Sequence, residues 1–154
     1  YINQIKNLNI DYLLIPNITL HETIDRLNIS QNILHPVHLS IAKIKENKWK
    51  KVVLFGSLFS MKSDYIKNQF KENGIEVLLP NEKDMVFIDE VRKQIYNESE
   101  TDDLLKKYHS IIQKYTEINP VILSCTELSI LKPKNNKMLL DMAEIQMEAA
   151  IKEI

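Results

Sequence analysis

Cys125 is the one cysteine in the chain, and its neighbours place it where a thiol could react. It follows the apolar run 121–123 after a single serine, and Thr126 and Glu127 behind it are typical of a helix start. The N-terminus of a helix stabilises a thiolate and lowers the pKa of a cysteine below its ordinary value of ~8.5. Cys125 is therefore a candidate base or nucleophile. The alternative is a buried structural cysteine, because a free cysteine packs as a small hydrophobe.

A second polar segment contains Asn17, Thr19 and His21, just after an apolar run that ends at Pro16. Backbone N–H groups and hydroxyls at a strand-to-helix turn can bind a carboxylate. The segment is therefore a candidate anion-binding turn. The alternative is that Thr19 only caps the following helix and that His21 is a surface residue of its first turn.

Three serines, Ser57, Ser60 and Ser63, follow Gly56 at the end of another apolar run. Their hydroxyls and the free N–H groups of a helix start could hold an anion. The segment is not the phosphate-binding loop of nucleotide hydrolases, because it lacks the glycines and the Gly-Lys-Ser/Thr ending. The alternative is a serine cap beside a solvated Lys62.

His35 and His38 are the remaining candidates for metal ligands, and they stand three residues apart. No third ligand lies near them in the sequence, so we predict no metal site. The chain also has no dinucleotide fingerprint and no zinc-type spacing, and we expect no cofactor.

The elements that must position these residues alternate along the chain. Apolar runs at 11–15, 52–55, 75–79, 121–123 and 138–140 alternate with helical patterns at 19–27, 37–48, 62–73, 83–96, 102–115 and from about 142. Strands buried on both faces and separated by helices indicate a parallel sheet with crossover helices, an α/β fold. Ligands of open parallel sheets bind beyond the carboxyl ends of the strands, where the three polar segments fall.

Composition excludes several classes of protein. The 154 residues are 44% hydrophobic and 27% charged, with 20 basic and 21 acidic side chains, which fits one ordinary globular domain. Balanced charge argues against a nucleic-acid or membrane-surface binder. No apolar run approaches the ~18 residues of a membrane span. One cysteine cannot form an internal disulfide, so we expect a cytoplasmic protein.

The order of the motifs resembles the aspartate/glutamate racemase family, cofactor-independent enzymes related to hydantoin racemases and maleate isomerases. The resemblance runs from about Asp11 to the final helix, and the Cys-Thr-Glu-Leu form is similar to the aspartate racemase branch. It rests on Pro-Asn-Ile-Thr-Leu-His at 16–21, Leu-Phe-Gly-Ser-x-x-Ser-Met-x-Ser-x-Tyr at 54–65, Gly-Ile-Glu-Val-x-x-Pro at 74–80, Ile-Tyr-x-Glu at 95–98, Ile-Leu-Ser-Cys-Thr-Glu-Leu at 122–128 and Leu-Asp at 140–141.

The resemblance implies two similar α/β lobes, each a parallel sheet flanked by helices, with the substrate in the cleft between them. Residues 1–49 would be part of the first lobe, residues 50–137 the second lobe, and residues 138–154 a final strand and helix returning to the first lobe. Family members begin with a strand and a Gly-containing loop that we do not find before Tyr1, so we expect a first lobe truncated at its N-terminus. Members are often homodimers, which makes a homodimer an expectation here.

The resemblance also implies a chemistry without pyridoxal phosphate, in which one cysteine per lobe takes or returns the α-proton of a small acidic amino acid. Cys125 matches the second catalytic cysteine, whereas Asn17 stands where the first is expected. His21 matches beside that first position. The implied substrate-binding residues are Thr19, Ser57, Ser60 and Thr126.

Asn17 is the main departure from the family pattern, because an amide neither accepts nor donates a proton near neutral pH. Ile18 replaces an asparagine that would help to bind the carboxylate, and Ser124 replaces a glycine. Two hypotheses follow. The chain is an isomerase whose Cys125 thiolate acts from one side, with Thr19, His21 or water as the opposite relay. Alternatively, it is an inert relative that binds an amino acid or dicarboxylate for regulation.

Overall fold

The computed structural model describes residue 5 and the segments 10–27 and 32–153. The expected first lobe and final helix include residues 1–4, 6–9, 28–31 and 154, which lie outside the described residues. Among the described residues, no helix has both the length and the apolar character needed to cross a membrane.

Four parallel strands form one sheet in the order β2-β1-β3-β4, and helices connect them. Val53 pairs with Val121 and Leu78, and Val121 also pairs with Leu139. The predicted α/β class with a parallel, helix-flanked sheet is confirmed. The strands are β1 (Lys51–Phe55), β2 (Glu76–Leu78), β3 (Val121–Leu123) and β4 (Leu139–Asp141).

Helices cover both faces of this sheet. A 3-10 turn over Ile18–Leu20 leads into the first of them. They are α1 (His21–Arg26), α2 (Pro36–Glu46), α3 (Leu58–Lys62), α4 (Asp64–Glu72), α5 (Glu82–Tyr96), α6 (Asp102–Thr116), α7 (Thr126–Ile130) and α8 (Met142–Lys152).

The core is divided into two layers by the two-residue period of the central strands. Val53 and Phe55 point into one cluster with residues of α5, α6 and α7, while Val52 and Leu54 point into the other with residues of α2, α4 and α8. Side chains on both faces of β1 are buried, which explains why the sequence of this strand is an uninterrupted apolar run.

One predicted helix, over 62–73, proves to be two. The backbone is extended at Ser63 (φ −61°, ψ 146°), which separates α3 from α4. The Ser63 hydroxyl accepts the N–H of Tyr65 at 3.2 Å, so a serine that could sit inside a helix instead caps a new one. The predicted end at Gly74 agrees with its φ of +75°, a left-handed conformation that favours glycine.

Strand β4 and helix α8 connect to different parts of the molecule. We expected both to return to the first lobe, but β4 pairs with β3 in the same sheet. Buried Gln146 of α8 does contact the chain before α2, here called the first segment (described residues 10–27 and 32–34), donating to the carbonyls of Ile15 at 3.1 Å and Leu34 at 2.7 Å. In that segment the described residues contribute one parallel bridge, Leu13 with Ile33. The division at residues 49 and 137 stays a prediction.

Candidate active site

A cleft of about 460 Å³ lies between the first segment and the carboxyl ends of β1 and β3. This is the edge at which ligands of open parallel sheets bind. Its lining is polar and comes from well-separated parts of the chain. The lining residues are Pro16, Asn17, Ile18, Thr19, Ser57, Arg92, Ser124, Cys125, Thr126 and Glu127.

The ends of β1 and β3 approach closely at Gly56. A Cβ atom placed on Gly56 would lie 2.4 Å from the hydroxyl oxygens of both Ser60 and Ser124, distances that no real Cβ contact shows. The Ser124 hydroxyl donates to the carbonyl of Phe55 at 3.0 Å and so bridges the two strand ends. This close approach brings Ser57, the cap of α3, and Cys125, the residue before α7, to one cleft.

Cys125 is a buried thiol, 9% exposed, and not the thiolate that its place before a helix led us to expect. Burial, and then the hydrogen bond and negative charge of Glu127, raise the pKa of Cys125 to about 12. These effects outweigh the hydrogen bonds from the backbone N–H groups of Leu128 and Glu127, which act to lower the pKa. The Sγ atom donates to Glu127 Oε2 at 2.9 Å.

Glu127 is the acceptor for the protons of two neighbours. The hydroxyl of Thr126 donates to the same Oε2 atom at 3.2 Å. Partial burial acts to raise the pKa of Glu127, but the hydrogen bonds from Cys125, its own backbone N–H and Thr126, together with the charge of Arg92, lower it overall. At neutral pH the pair is therefore a thiol beside a carboxylate.

Arg92 supplies a positive charge to the cleft from helix α5, and sequence reasoning missed it. Buried Asp89 holds it by accepting Arg92 Nε at 3.2 Å, and the same carboxylate accepts the N–H of Leu58 at 3.1 Å. Two features of the sequence could have indicated Arg92. The chain has two arginines among its 20 basic residues, and a guanidinium suits a carboxylate better than lysine does. The aspartate also stands three residues earlier on the same helix face.

Asn17 lies exposed in the wall formed by residues 16–19, with its amide oxygen already used. Its Oδ1 atom accepts the N–H of Leu20 at 3.1 Å and the hydroxyl of Thr19 at 2.9 Å. Asn17 thus caps the 3-10 turn, which corrects the reading of Thr19 as the cap. Both side chains line the cleft.

Two predicted site residues, Ser60 and His21, do not line the cleft. Ser60 is buried under Ser57, with its hydroxyl 3.0 Å from that of Ser57. His21 is fully buried rather than on the surface, and its Nε2 donates to the carbonyl of Ile15 at 2.9 Å. Ser60 therefore supports Ser57, and His21 supports the chain before Pro16. Catalytic or binding roles for Ser60 and His21 remain predictions.

The histidine pair that we expected to lack a third metal ligand does have one nearby. The fold brings Asp25 to His35 and His38, and one ligand atom from each lies within 4.8 Å of the others. The expectation failed because it counted neighbours along the sequence, whereas Asp25 reaches the pair from a separate helix.

A sequence profile of the family described as Asp/Glu/hydantoin racemase matches residues 1–150. The chain belongs to the Asp/Glu/hydantoin racemase family. The resemblance drawn from the motifs is thereby confirmed. Membership supports a racemase-like function and a small amino acid as the substrate class.

Solved racemase structures share the fold. A candidate Asp/Glu racemase from Yersinia pestis has a TM-score of 0.85 at 19% identity, covering 99% of this chain and 70% of its own. An aspartate racemase homologue from Pyrococcus horikoshii OT3 has a TM-score of 0.83 at 21% identity, with the same two coverages. An aspartate racemase from Picrophilus torridus has 0.79 at 17% identity, covering 99% and 65%. At such identities the likeness establishes the fold alone. A search of curated proteins gave no significant match.

The cleft of this family member is chemically uneven. One wall has the thiol and carboxylate of Cys125 and Glu127, and the other has the amide of Asn17. Among the described residues that line the cleft, Arg92 is the one with a cationic side chain. Proton transfer can therefore be derived for one wall only.

Proposed function

We propose that this protein is an aspartate/glutamate racemase-like isomerase that exchanges the α-proton of a small acidic amino acid from one face, without pyridoxal phosphate. The observation that supports it most directly is the 2.9 Å hydrogen bond from Cys125 Sγ to Glu127 inside the cleft. A thiol that donates to a carboxylate has a route to lose its proton, which a base acting on Cα requires.

The proton steps balance between two side chains. Glu127 takes the Sγ proton while Sγ takes the α-proton, leaving an enolate-like carboxylate on the substrate, a protonated Glu127 and a Cys125 thiol. In the reverse step Sγ returns a proton to the same face of Cα and regains one from Glu127. Exchange of either protein proton with water between these steps places a solvent proton on Cα with retained configuration.

The substrate itself helps to form the base. A thiolate with a high pKa is a strong base but a rare species, at pH 7 on the order of one molecule in 10⁵ for a pKa near 12. The ammonium group of a bound amino acid, placed near Sγ, favours the thiolate and lowers the pKa of Cys125. We therefore expect the thiolate to form in the complex and not in the free protein.

Arg92 makes acidic amino acids the favoured substrates. Asp89 engages its Nε, which leaves the terminal nitrogens of the guanidinium for a carboxylate. Ser57, Thr126 and Thr19 add hydroxyls to the cleft lining. In the free protein the Thr19 hydroxyl donates to Asn17 and the Thr126 hydroxyl to Glu127, so both turn from these partners when they donate to a carboxylate of a bound diacid. Donors near the α-carboxylate stabilise its enolate-like form.

Asn17 removes the second face from the reaction. Its amide oxygen is occupied by Leu20 and Thr19, and an amide has no titratable proton in the neutral range. His21, four residues after Asn17, is buried outside the cleft lining and so does not supply a base on that side. Inversion therefore depends on water or the Thr19 hydroxyl and is slower than exchange.

The test is proton NMR in deuterated water with each enantiomer of aspartate and glutamate, following loss of the α-proton signal. We expect exchange of one enantiomer, and a loss of at least 100-fold in Cys125→Ser. Ser129→Ala, which removes a hydroxyl that donates to the Cys125 carbonyl and to Asp141, serves as a control near the site. Full exchange in Cys125→Ser would overturn the proposal.

An inert binding protein is the second candidate, and the high pKa of Cys125 together with Asn17 favours it. In that case calorimetry would detect aspartate or a dicarboxylate bound in the cleft, with affinity reduced in Arg92→Gln, while no α-proton exchange occurred. Exchange that depends on Cys125 excludes this candidate.

A further inference from the structure

A cluster of three metal-ligating side chains lies outside the cleft. Asp25 comes from α1, His35 is the residue before α2, and His38 lies in the first turn of α2. One ligand atom of each lies within 4.8 Å of the others. None of the three lines the cleft, and the proposed reaction does not use them.

We propose that Asp25, His35 and His38 form a binding site for a divalent transition metal ion of the zinc type. Two imidazole nitrogens and one carboxylate oxygen are a donor set that such ions take, at about 2.0–2.2 Å from each donor. Ca²⁺ and Mg²⁺ are excluded by the same donor set, because they prefer oxygen ligands throughout.

The spacing of the first two ligands fits this ion. Two donors about 2.05 Å from a tetrahedral ion lie roughly 3.3 Å apart, and Asp25 Oδ1 lies 3.3 Å from His35 Nε2. His38 completes the set from one turn along the chain, with its ring stacked on that of His35 at a centroid distance of 4.0 Å. His38 is exposed, so its ring is free to turn toward the ion.

A second ring of contacts holds the ligands in place. The Tyr65 hydroxyl donates to Asp25 Oδ2 at 2.6 Å, which leaves Oδ1 facing His35. Such outer contacts orient the ligands of metal sites. Nδ1 of His35 accepts the N–H of His38 in a long hydrogen bond of 3.4 Å. A metal ion at Nε2 requires the ring proton to be on Nδ1, so this hydrogen bond breaks when the ion binds.

Next to the cluster is a buried imidazole with a vacant hydrogen-bonding atom. The ring of His21 contacts that of His35 edge-on, with centroids 4.4 Å apart, and its Nδ1 atom is buried without a partner. Unpartnered buried acceptors are rare in folded proteins. The cluster therefore lies against a second imidazole whose polar atom is not satisfied by the described residues.

The site would join the first segment to the sheet layer. Asp25 lies on α1, directly after the turn that lines the cleft, whereas His35 and His38 begin a helix packed on the sheet. An ion bound by all three cross-links these parts and stabilises the folded state by mass action.

The test is calorimetric titration of the chelator-treated full chain with Zn²⁺ alone, with Co²⁺ absorption as a spectroscopic check. We expect one ion per chain and a rise in Tm with Zn²⁺. Binding should weaken at least tenfold in His38→Ala and in Asp25→Asn. Both residues are exposed, so these variants are expected to fold.

Three controls make the result decisive. His109→Ala removes a histidine that contacts the Leu131 carbonyl at 2.7 Å, away from the cluster, and should leave binding intact. Cys125→Ser should also leave it intact, and Mg²⁺ should not bind. Absence of Zn²⁺ binding, or binding equally strong in His38→Ala and Asp25→Asn, would overturn the proposal. Neither outcome bears on the cleft chemistry.

Discussion

Glu127 controls the protonation of Cys125, and this contact sets how the reactivity of the thiol depends on pH. Its carboxylate accepts the Sγ proton at 2.9 Å and, after burial, is the largest cause of the raised thiol pKa. In Glu127→Gln the negative charge is gone, so the pKa of Cys125 falls below about 12 and the thiolate fraction at any pH below it rises. Alkylation of this single cysteine, measured by mass spectrometry from pH 7 to 10, should then be at least tenfold faster than in the wild type.

The same variant should lose α-proton exchange, because the thiol no longer has its proton acceptor. Faster alkylation together with slower exchange would show that Glu127 accepts the proton of Cys125 during exchange. If Glu127 only suppressed the thiolate, its replacement would speed up alkylation without slowing exchange. Glu117→Gln, whose carboxylate contacts Gln113 on the surface, is the matched control. An unchanged alkylation profile in Glu127→Gln would contradict the role given to this residue.

Asn17 is the residue that we hold responsible for one-sided chemistry. Asn17→Cys should place a second thiol in the cleft and raise the rate of inversion at least tenfold relative to exchange. Chiral chromatography of aspartate after incubation measures inversion directly. Asn17→Ser keeps a side-chain oxygen able to cap the 3-10 turn but supplies no thiol, so it should not gain inversion. Equal inversion in the cysteine and serine variants would show that the missing thiol is not the limit.

In the proposed function Arg92 selects amino acids that carry a side-chain carboxylate. Arg92→Gln should raise KM for aspartate and glutamate roughly tenfold or more, since a charge-assisted contact to a carboxylate contributes about 1.5–3 kcal/mol. The effect on alanine, which has no side-chain carboxylate, should be smaller. Lys93→Gln is the matched control, because Lys93 pairs with the same Asp89 at 2.7 Å but does not line the cleft. The same loss in Lys93→Gln would assign the effect to Asp89 instead.

At the scale of elements, the junction between β1 and α3 requires glycine at position 56. The reason is the lack of space for a Cβ atom, and not a left-handed backbone. Gly56→Ala should destabilise the fold by about 1–3 kcal/mol, because its Cβ would overlap the hydroxyls of Ser60 and Ser124, and should reduce exchange. Urea denaturation measures the first effect. Gly74→Ala has open space around it but a φ of +75°, so it should cost about 1 kcal/mol and leave exchange intact. Wild-type stability in Gly56→Ala would contradict the close approach.

The elements were largely readable from the sequence, because strands buried on both faces leave uninterrupted apolar runs such as 52–55. The three polar segments that the sequence analysis identified do line one cleft, through Thr19, Ser57 and Cys125. The break at Ser63 was not readable, since a serine suits both a helix interior and a cap. The pKa of Cys125 and the approach of Asp25 to the histidines depend on burial and on contacts between separate helices, which spacing along one chain does not contain.

At the scale of the whole molecule, buried Gln146 connects α8 to the first segment. Its side-chain nitrogen donates to two backbone carbonyls, those of Ile15 and Leu34. Gln146→Leu removes the hydrogen bond to the Leu34 carbonyl, whereas the Ile15 carbonyl keeps the one from His21 Nε2, so the variant should cost about 1–3 kcal/mol for one buried unsatisfied group. Because Ile15 precedes the cleft wall, exchange should fall as well. Thermal unfolding and the exchange rate report the two effects.

Met147, next along α8 and half-exposed, provides the comparison. Met147→Leu conserves volume and should change neither stability nor exchange by more than about 1 kcal/mol equivalent. Retained stability in Gln146→Leu would show that the first segment is held by its other contacts, including the bridge between Leu13 and Ile33.

In the proposed reaction one wall of the cleft moves the proton and the other does not. The most direct test incubates the wild-type protein with one enantiomer of aspartate in deuterated water, then measures α-deuteration by NMR and configuration by chiral chromatography on the same sample. We expect deuterated aspartate of retained configuration to accumulate at least ten times faster than the inverted enantiomer. Deuteration and inversion at equal rates would contradict the account, because a second proton donor would then act from the side of Asn17.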